Sequence, residues 1–352
     1  MKNTKFFVFL PIFFVPLFAF PLACNSLGSS AGVFASYDSG QSWQQKGKVG
    51  KKESLNDKEI YSLKFDPKNA LVIYAGTKEN GLFKTSDGGD LWYQVADQSL
   101  PKMGKMTVSD LAIDSQDNNW VYVAAFAENY GWVLRSQNGG SNWEEVFKTA
   151  QKNTGVTALT VSPGGSSKVF MGTEEGGLFS SSDHGSNWQS LRWFESGVID
   201  IAIDSQNPQT IYVSTSRSGI FKSVDGGGTW VPLNFGASEL LGEPTVFKLL
   251  SLSSNGGTIL AASEKGLLKS QDNGASWQKV DIVVPPNSLP ILSVVAHPQR
   301  ANQFYYTAGS VVYKTIDGGK SWSVHPLGTT GNADCIEVNP YYPDNLLVGI
   351  KK

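Results

Sequence analysis

Short apolar runs separated by turn-forming residues dominate the chain. The clearest stretch reads Val198-Ile199-Asp200-Ile201-Ala202-Ile203, Thr210-Ile211-Tyr212-Val213-Ser214 and Gly219-Ile220-Phe221-Lys222-Ser223. Each run has the length and β-branched or aromatic content of a strand, and each interval is rich in Asp, Asn, Pro, Gly or Ser. These are strands A, B and C of a repeat, and Trp230 opens a fourth, D. Equivalent A strands start near Ile60, Val108, Val156, Val246, Ile291 and Ala333, so one four-stranded unit recurs along the chain.

Between C and D lies an octapeptide, Ser/Thr-x-Asp-x-Gly-x-x-Trp, which occurs seven times. Its copies are Ser36/Asp38/Gly40/Trp43, Thr85/Asp87/Gly89/Trp92, Ser136/Asn138/Gly140/Trp143, Ser181/Asp183/Gly185/Trp188, Ser223/Asp225/Gly227/Trp230, Ser270/Asp272/Gly274/Trp277 and Thr315/Asp317/Gly319/Trp322. Only Asn138 departs from the carboxylate. Successive tryptophans lie 49, 51, 45, 42, 47 and 45 residues apart, the length of one four-stranded propeller blade. The octapeptide has the chemistry of a hairpin turn: the carboxylate accepts backbone N–H groups, the hydroxyl adds a local bond, and the glycine tolerates positive φ. The tryptophan is expected to begin strand D and to pack against a neighbouring blade. These residues are structural. A metal site needs several oxygens converging on one point, whereas the aspartates are spread one per blade around a ring, and neither metal nor cofactor is expected.

The ends complete one another. The first octapeptide is preceded by a C strand, Gly32 to Ala35, with no A or B, while Ala333 to Val338 and Asn345 to Lys351 read as A and B strands with no C or D after them. Joining them makes a seventh blade and removes an exposed sheet edge. The expected fold is all-β: a single seven-bladed β-propeller over 32–352, one blade being built from both ends of the chain.

Ahead of it, Lys2 and Lys5 precede an apolar run from Phe6 to Phe20 and the tetrapeptide Pro21-Leu22-Ala23-Cys24. This is the pattern of an export signal over 1–23, with Pro11 and Pro16 arguing against a spanning helix. Ala23-Cys24 resembles a bacterial lipobox, which implies lipidation of Cys24, membrane contact through it and a short tether over 24–31; without lipidation the protein is secreted. The tether reaches about 25 Å at full extension, which would hold the face carrying the B–C loops near a membrane. The other cysteine is Cys335, so there is no disulfide framework.

The 37 glycines and 10 tryptophans suit tight turns and large packing side chains in a β-protein. A net charge of -2 carries no broad basic footprint and argues against nucleic acid as a partner.

Repeats such as Gly219-Ile220-Phe221-Lys222-Ser223-Val224-Asp225-Gly226-Gly227-Gly228-Thr229-Trp230 resemble the BNR/Asp-box superfamily. Its members include sialidases, xyloglucan-cleaving hydrolases, sortilin-type receptors and the photosystem II stability/assembly factor family. A seven-bladed ring behind an export signal is most similar to the last, which implies a non-enzymatic role with a protein partner. The chain has four arginines and no Phe/Tyr-Arg-Ile-Pro segment, against the sialidase reading. Arg135 stands where other blades carry a strand-C lysine, leaving Arg192, Arg217 and Arg300.

In such propellers the D–A and B–C loops form the face opposite the Asp boxes, the expected working face. Arg192, Trp193 and Phe194 in a D–A loop, Tyr130 and Trp132 at the start of a C strand, and Arg217 in a B–C loop are candidate anchors for a protein loop or stacking surfaces for a glycan. Plugging gaps between blades is the competing role. Asp110 and Asp200 occupy matching A-strand positions and are the candidate catalytic carboxylates, since glycoside hydrolysis needs two about 5 to 9.5 Å apart. Satisfaction by backbone groups is their alternative role, which Ser62 and Ser293 at equivalent positions favour. Two function classes follow: a membrane-tethered protein-binding scaffold, and a carbohydrate-binding or glycoside-hydrolysing propeller.

Overall fold

The computed structural model describes residues 30–50, 53–164, 168–233, 245–252, 256–284 and 288–352; Cys24 and the segment before it lie outside these residues. Seven antiparallel sheets form the ring, each with an innermost A strand and an outer D strand. The A strands, from blade 1 to blade 7, are Ile60–Asp66, Thr107–Ile113, Val156–Val161, Val198–Ile203, Val246–Ser251, Ser293–Ala296 and Asn332–Val338. Blade 7 closes as the ends suggest: Asn332–Val338 and Leu346–Lys351 pair with Gly32–Ser36 and Gln44–Gln45, with Gly32 opposite Ile350 and Ser36 opposite Leu346.

The Asp box builds the same turn seven times. The Ser or Thr hydroxyl donates to the Asp or Asn oxygen at 2.6 to 3.0 Å. The glycine N–H donates back to that hydroxyl at 2.7 to 3.1 Å. The N–H four residues after the carboxylate donates to it at 2.8 to 2.9 Å. Asn138 serves as well as aspartate because the turn needs one acceptor oxygen, which an amide supplies.

The place of the box tryptophans in the strands is a correction. Trp92 does begin strand D, paired with Thr85, but Trp43, Trp143, Trp188, Trp230, Trp277 and Trp322 each stand one residue before it. In those six blades the first C–D pairs are Ala35 with Gln44, Arg135 with Glu144, Ser180 with Gln189, Lys222 with Val231, Lys269 with Gln278 and Lys314 with Ser323. In all seven boxes the oxygen at the Asp position holds the N–H of the residue before the tryptophan, so the backbone there is still completing the turn; Trp92 differs in bridging in parallel to Val49.

Their packing role holds, by unequal means. Trp92, fully buried, donates its indole N–H to Lys46 of the preceding blade at 3.1 Å, Trp188 does the same to Val146 at 3.1 Å, and half-buried Trp322 to Asp281 at 2.7 Å. Trp143 and Trp230 instead bond the carbonyl of their own box glycine, at 3.1 and 3.0 Å. Trp143 is buried in one cluster with Val72 and Tyr74 of blade 1, and Trp277 in one with Tyr212 and Ile220 of blade 4. Trp43 packs half-buried on the cluster holding Tyr305 and Val312 of blade 6, and its N–H has no acceptor among the described residues. Pairing the one polar atom lets the ring gain apolar burial without an unmet donor, which Trp43 forgoes. Basic residues reach forward to box carbonyls of the next blade: Lys84 to Gly139 at 2.7 Å, Arg135 to His184 at 2.7 Å and Lys222 to Asn273 at 2.9 Å.

Near the axis, blades interlock by size. The B-strand residues opposite Ser62, Asp110, Ala158, Asp200, Lys248, Ser293 and Cys335 of the A strands are Gly76, Ala124, Gly172, Ser214, Ala262, Thr307 and Gly349. A side chain on Gly76, Gly172 or Gly349 would run into Val108, Val198 or Ile60 of the adjoining blade. These positions are small because the next blade's first inward residue fills the space.

Two features carry no periodic signal. Lys48–Val49 and Glu53–Ser54 pair with each other and extend blade 1 to six strands, Val49 bridging in parallel to Trp92. A 3-10 turn, Pro101–Lys105, leads into blade 2 and buries Met103.

Candidate functional site

In six of the seven blades the A strand carries a bulge near its start, where A–B pairing skips one residue. A bulge leaves the extra residue unpaired and re-aims its side chain. The skipped residues are Tyr61, Ser109, Thr157, Ile199, Phe247 and Asp334, and together with Leu292 of blade 6 they line one mouth of the central channel. In an antiparallel blade the start of A lies at the end opposite the C–D turn, so this mouth faces away from the Asp boxes. Its cavity is about 380 Å³. Blades 4 to 6 give it an apolar arc of Ile199, Phe247 and Leu292. Across the ring, Asp334 pairs with Lys351 at 2.5 Å, and that ammonium also lies 3.6 Å from the Tyr61 ring centroid.

One step deeper comes a waist of charge. Asp200 accepts the Lys248 ammonium at 3.0 Å and the Leu249 N–H at 2.7 Å. Lys64 pairs with Glu337. Asp110 accepts its neighbour Leu111 N–H and, from the next blade, Leu159 N–H, each at 2.8 Å. Burial pushes the Asp110 carboxyl above the usual carboxylate range, against the pull of Lys248 and Lys64. Burial pulls the Lys248 ammonium down, but Asp200 and Asp110 outweigh it and hold it above its ordinary value. Cys335 shares this level, its thiol pushed up to about 12 by burial and therefore a poor nucleophile.

Asp110 and Asp200 thus both reach the channel, as their matching positions suggest, but their oxygens are engaged by backbone amides and a lysine. The sequence reading missed Lys64, Lys248 and Glu337. Aligning the A strands on Asp110 and Asp200 puts Lys248 at the same position, and that alignment is the signal that could have found it.

The six candidate anchors separate. Trp193 is 56% exposed at the end of strand D in blade 3, edge-on to Phe179. Arg217 is exposed on the same face, its backbone N–H bonded to Ser196 at 3.2 Å. Arg192 is half-buried, its guanidinium over Phe194 and Phe221. Tyr130 is half-buried, 3.9 Å from the Lys148 ammonium. Phe194 and Trp132 are corrections. Phe194 is buried against Phe221 and Trp230, and Trp132 is buried beneath Lys102 and Lys148 with its N–H on Ala127. Both fill gaps within the ring and offer no surface, because large apolar rings gain more from the inter-blade core than from solvent.

Against this geometry, residues 190–340 match the family described as photosynthesis system II assembly factor YCF48. The xyloglucanase Xgh74A of Acetivibrio thermocellus is 28% identical over 137 residues, 35% of this chain and 16% of that protein. The GH74 xyloglucanase structure from Xanthomonas campestris superposes with a TM-score of 0.70 at 18% identity, covering 83% of this chain and 51% of that one. A structure of YCF48 bound to D1 peptide superposes with a TM-score of 0.63 at 15% identity, covering 84% of this chain and 93% of that one. The chain therefore spans under a fifth of the curated xyloglucanase and about half of the solved one, and at these identities the structural likenesses speak for fold alone. Seven Asp boxes and seven four-stranded blades make this chain a seven-bladed propeller, and over 190–340 it is similar to the YCF48 assembly-factor family.

Proposed function

We propose that the protein is an exported, lipid-anchored, non-enzymatic scaffold that holds a protein partner on the face opposite the Asp boxes. The observation that carries this reading is the state of the two channel aspartates. A retaining or inverting glycosidase needs one free acid and one free base or nucleophile. Here Asp200 is committed to Lys248 and Leu249, and Glu337 to Lys64, so among the described residues Asp110 has no free second carboxylate to work with. A solved assembly factor of similar fold is described as bound to a peptide, which supports a protein ligand for this chain. Trp193 and Arg217, exposed on that face, are the proposed outer contacts, and Cys24 the lipidated anchor.

The test pairs two measurements. Photo-crosslinkers at Trp193 and Arg217 in intact membranes should capture one and the same protein, while one at Ser141 in a box turn should not. Purified protein should release no reducing ends from xyloglucan. Turnover that disappears in Asp110→Asn and Asp200→Asn would overturn the scaffold reading in favour of the glycosidase. Mass spectrometry of the mature N-terminus should show a lipid-modified Cys24, and an unmodified first residue removes the anchor.

A further inference from the structure

The channel waist carries Lys64 and Lys248 against Asp110, Asp200 and Glu337, so among the described residues it holds one acid in excess. The pairs Lys64–Glu337 and Lys248–Asp200 account for four of the five groups. Asp110 is the acid without a cation of its own. Each of its oxygens accepts a single N–H, and a carboxylate oxygen has capacity for a second donor. On the adjoining blade, Ser62 occupies the equivalent place and lines the same cavity; it is 5% exposed and its hydroxyl has no hydrogen-bond partner among the described residues. In blades 2, 4 and 6 the side chain at this place accepts an N–H from the next blade: Asp110 from Leu159, Asp200 from Leu249, Ser293 from Ile336. In blade 1 the corresponding amide, that of Leu111, is already taken by Asp110, which leaves Ser62 over. An acid with spare acceptor capacity and, on the adjoining blade, a buried hydroxyl without a partner among the described residues therefore line a cavity whose opposite arc, Ile199, Phe247 and Leu292, is apolar.

We propose that this mouth accepts a lysine or arginine side chain presented by the protein partner, its cationic head against Asp110 and Ser62 and its methylene stem on Ile199, Phe247 and Leu292. The inference rests on the protein-binding reading above and names the chemistry of that face. An acid enclosed in the ring without a counter-ion is costly, and an entering monocation brings the waist to neutrality. Long basic side chains suit such a site because they lay an apolar stem on an apolar wall while the head reaches a polar floor. The raised Asp110 carboxyl fits an acid lacking its cation, and filling the site should bring it down.

The test uses acetylated, amidated Gly-Gly-Lys-Gly-Gly, its arginine, norleucine and glutamate counterparts, and free spermidine, titrated into the mature protein and followed by amide NMR shifts. The lysine and arginine peptides should bind saturably and shift the amides of Ser62 and Leu111. Norleucine should bind about 10- to 100-fold more weakly, the worth of a hydrogen bond to a charged group. Asp110→Asn should erase the difference between lysine and norleucine. Ile199→Lys, which sets an internal ammonium at the mouth without touching Asp110, should block the lysine peptide with the unfolding transition retained. Equal binding of lysine and norleucine, lysine binding undiminished in both variants, or no saturable binding overturns the proposal. Spermidine binding as tightly as the peptide overturns a protein-borne source. A partner still crosslinking to Trp193 and Arg217 in both variants removes the cation site and leaves the protein-binding face standing, whereas lysine-peptide binding without any crosslinked partner does the reverse.

Discussion

Aspartates at the rim of the ring and aspartates at its axis are the same side chain in opposite circumstances. Asp183 is half-buried and Asp272 exposed in their boxes, and their carboxyls are held down to about 2, first by the hydroxyls of Ser181 and Ser276 respectively and then by further side-chain and backbone donors. Asp110 touches the channel, yet enclosure by seven blades raises it. Donors aimed at an anion favour the charged form and enclosure disfavours it, so donors decide the sign at the rim and burial decides it at the axis. The rim carboxylates are finished structures with their capacity filled by the turn. The axial one is open to further bonding, and for that reason the axis is where a ligand is sought.

The largest expected effect tests the rim as architecture. Trp92→Ala should cost about 3–5 kcal/mol in urea unfolding, because the fully buried ring spans two blades and leaves a cavity. A loss below about 1 kcal/mol would mean that the blades hold together without it. Next, Lys248→Met strands Asp200 inside the channel and should cost about 1–3 kcal/mol, with most of it recovered in the Lys248→Met/Asp200→Ala double variant. An additive cycle would show that the pair does not couple.

Two smaller effects appear against pH and break the comparison most directly. Asp110 binds its proton more tightly folded than unfolded, so its contribution to stability declines as pH rises from its unfolded value of 3.8 through the raised folded one. Asp110→Asn should therefore be better tolerated at neutral pH than in acid, and the reverse order would show that Asp110 is ionised and compensated. For the boxes the sign is opposite: Asp183 stabilises above 3.8, and that stability is lost as pH falls towards about 2. Asn138→Asp should add this acid dependence to blade 2 and Asp183→Asn should remove it from blade 3, read as opposite changes in the acid limb of thermal stability.

Much of the fold was legible because the box is local. Its hydrogen bonds join residues two to four apart, so an octapeptide shows the turn, and a ladder of such turns shows the blade. Where the turn ends was less legible: Trp43, Trp143, Trp188, Trp230, Trp277 and Trp322 look like the first residues of strand D, but pairing with strand C starts one residue later, and that pairing is a property of two strands. The closure was legible by counting strands at the two ends. The site was half legible. Asp110 and Asp200 could be matched by position, but Lys64 and Glu337 come together from opposite ends of the chain. Phe194 and Trp132 looked like candidate anchors because one is a large aromatic after strand D and the other stands at the start of a C strand where most repeats have glycine, and the neighbours that bury them belong to other elements.

By itself the sequence determined that this protein is a ring of seven Asp-box blades sealed by its two ends, since those features rest on short-range hydrogen bonding and on a repeat that can bury its apolar faces only by stacking on copies of itself. The tertiary structure alone decided which side chains face the axis. That choice is made by bulges in the A–B pairing, and a one-residue slip in a strand exchanges the two faces. It placed an apolar arc opposite a charged waist and left Asp110 without a cation, because enclosure and charge balance are properties of the closed ring and not of any one repeat.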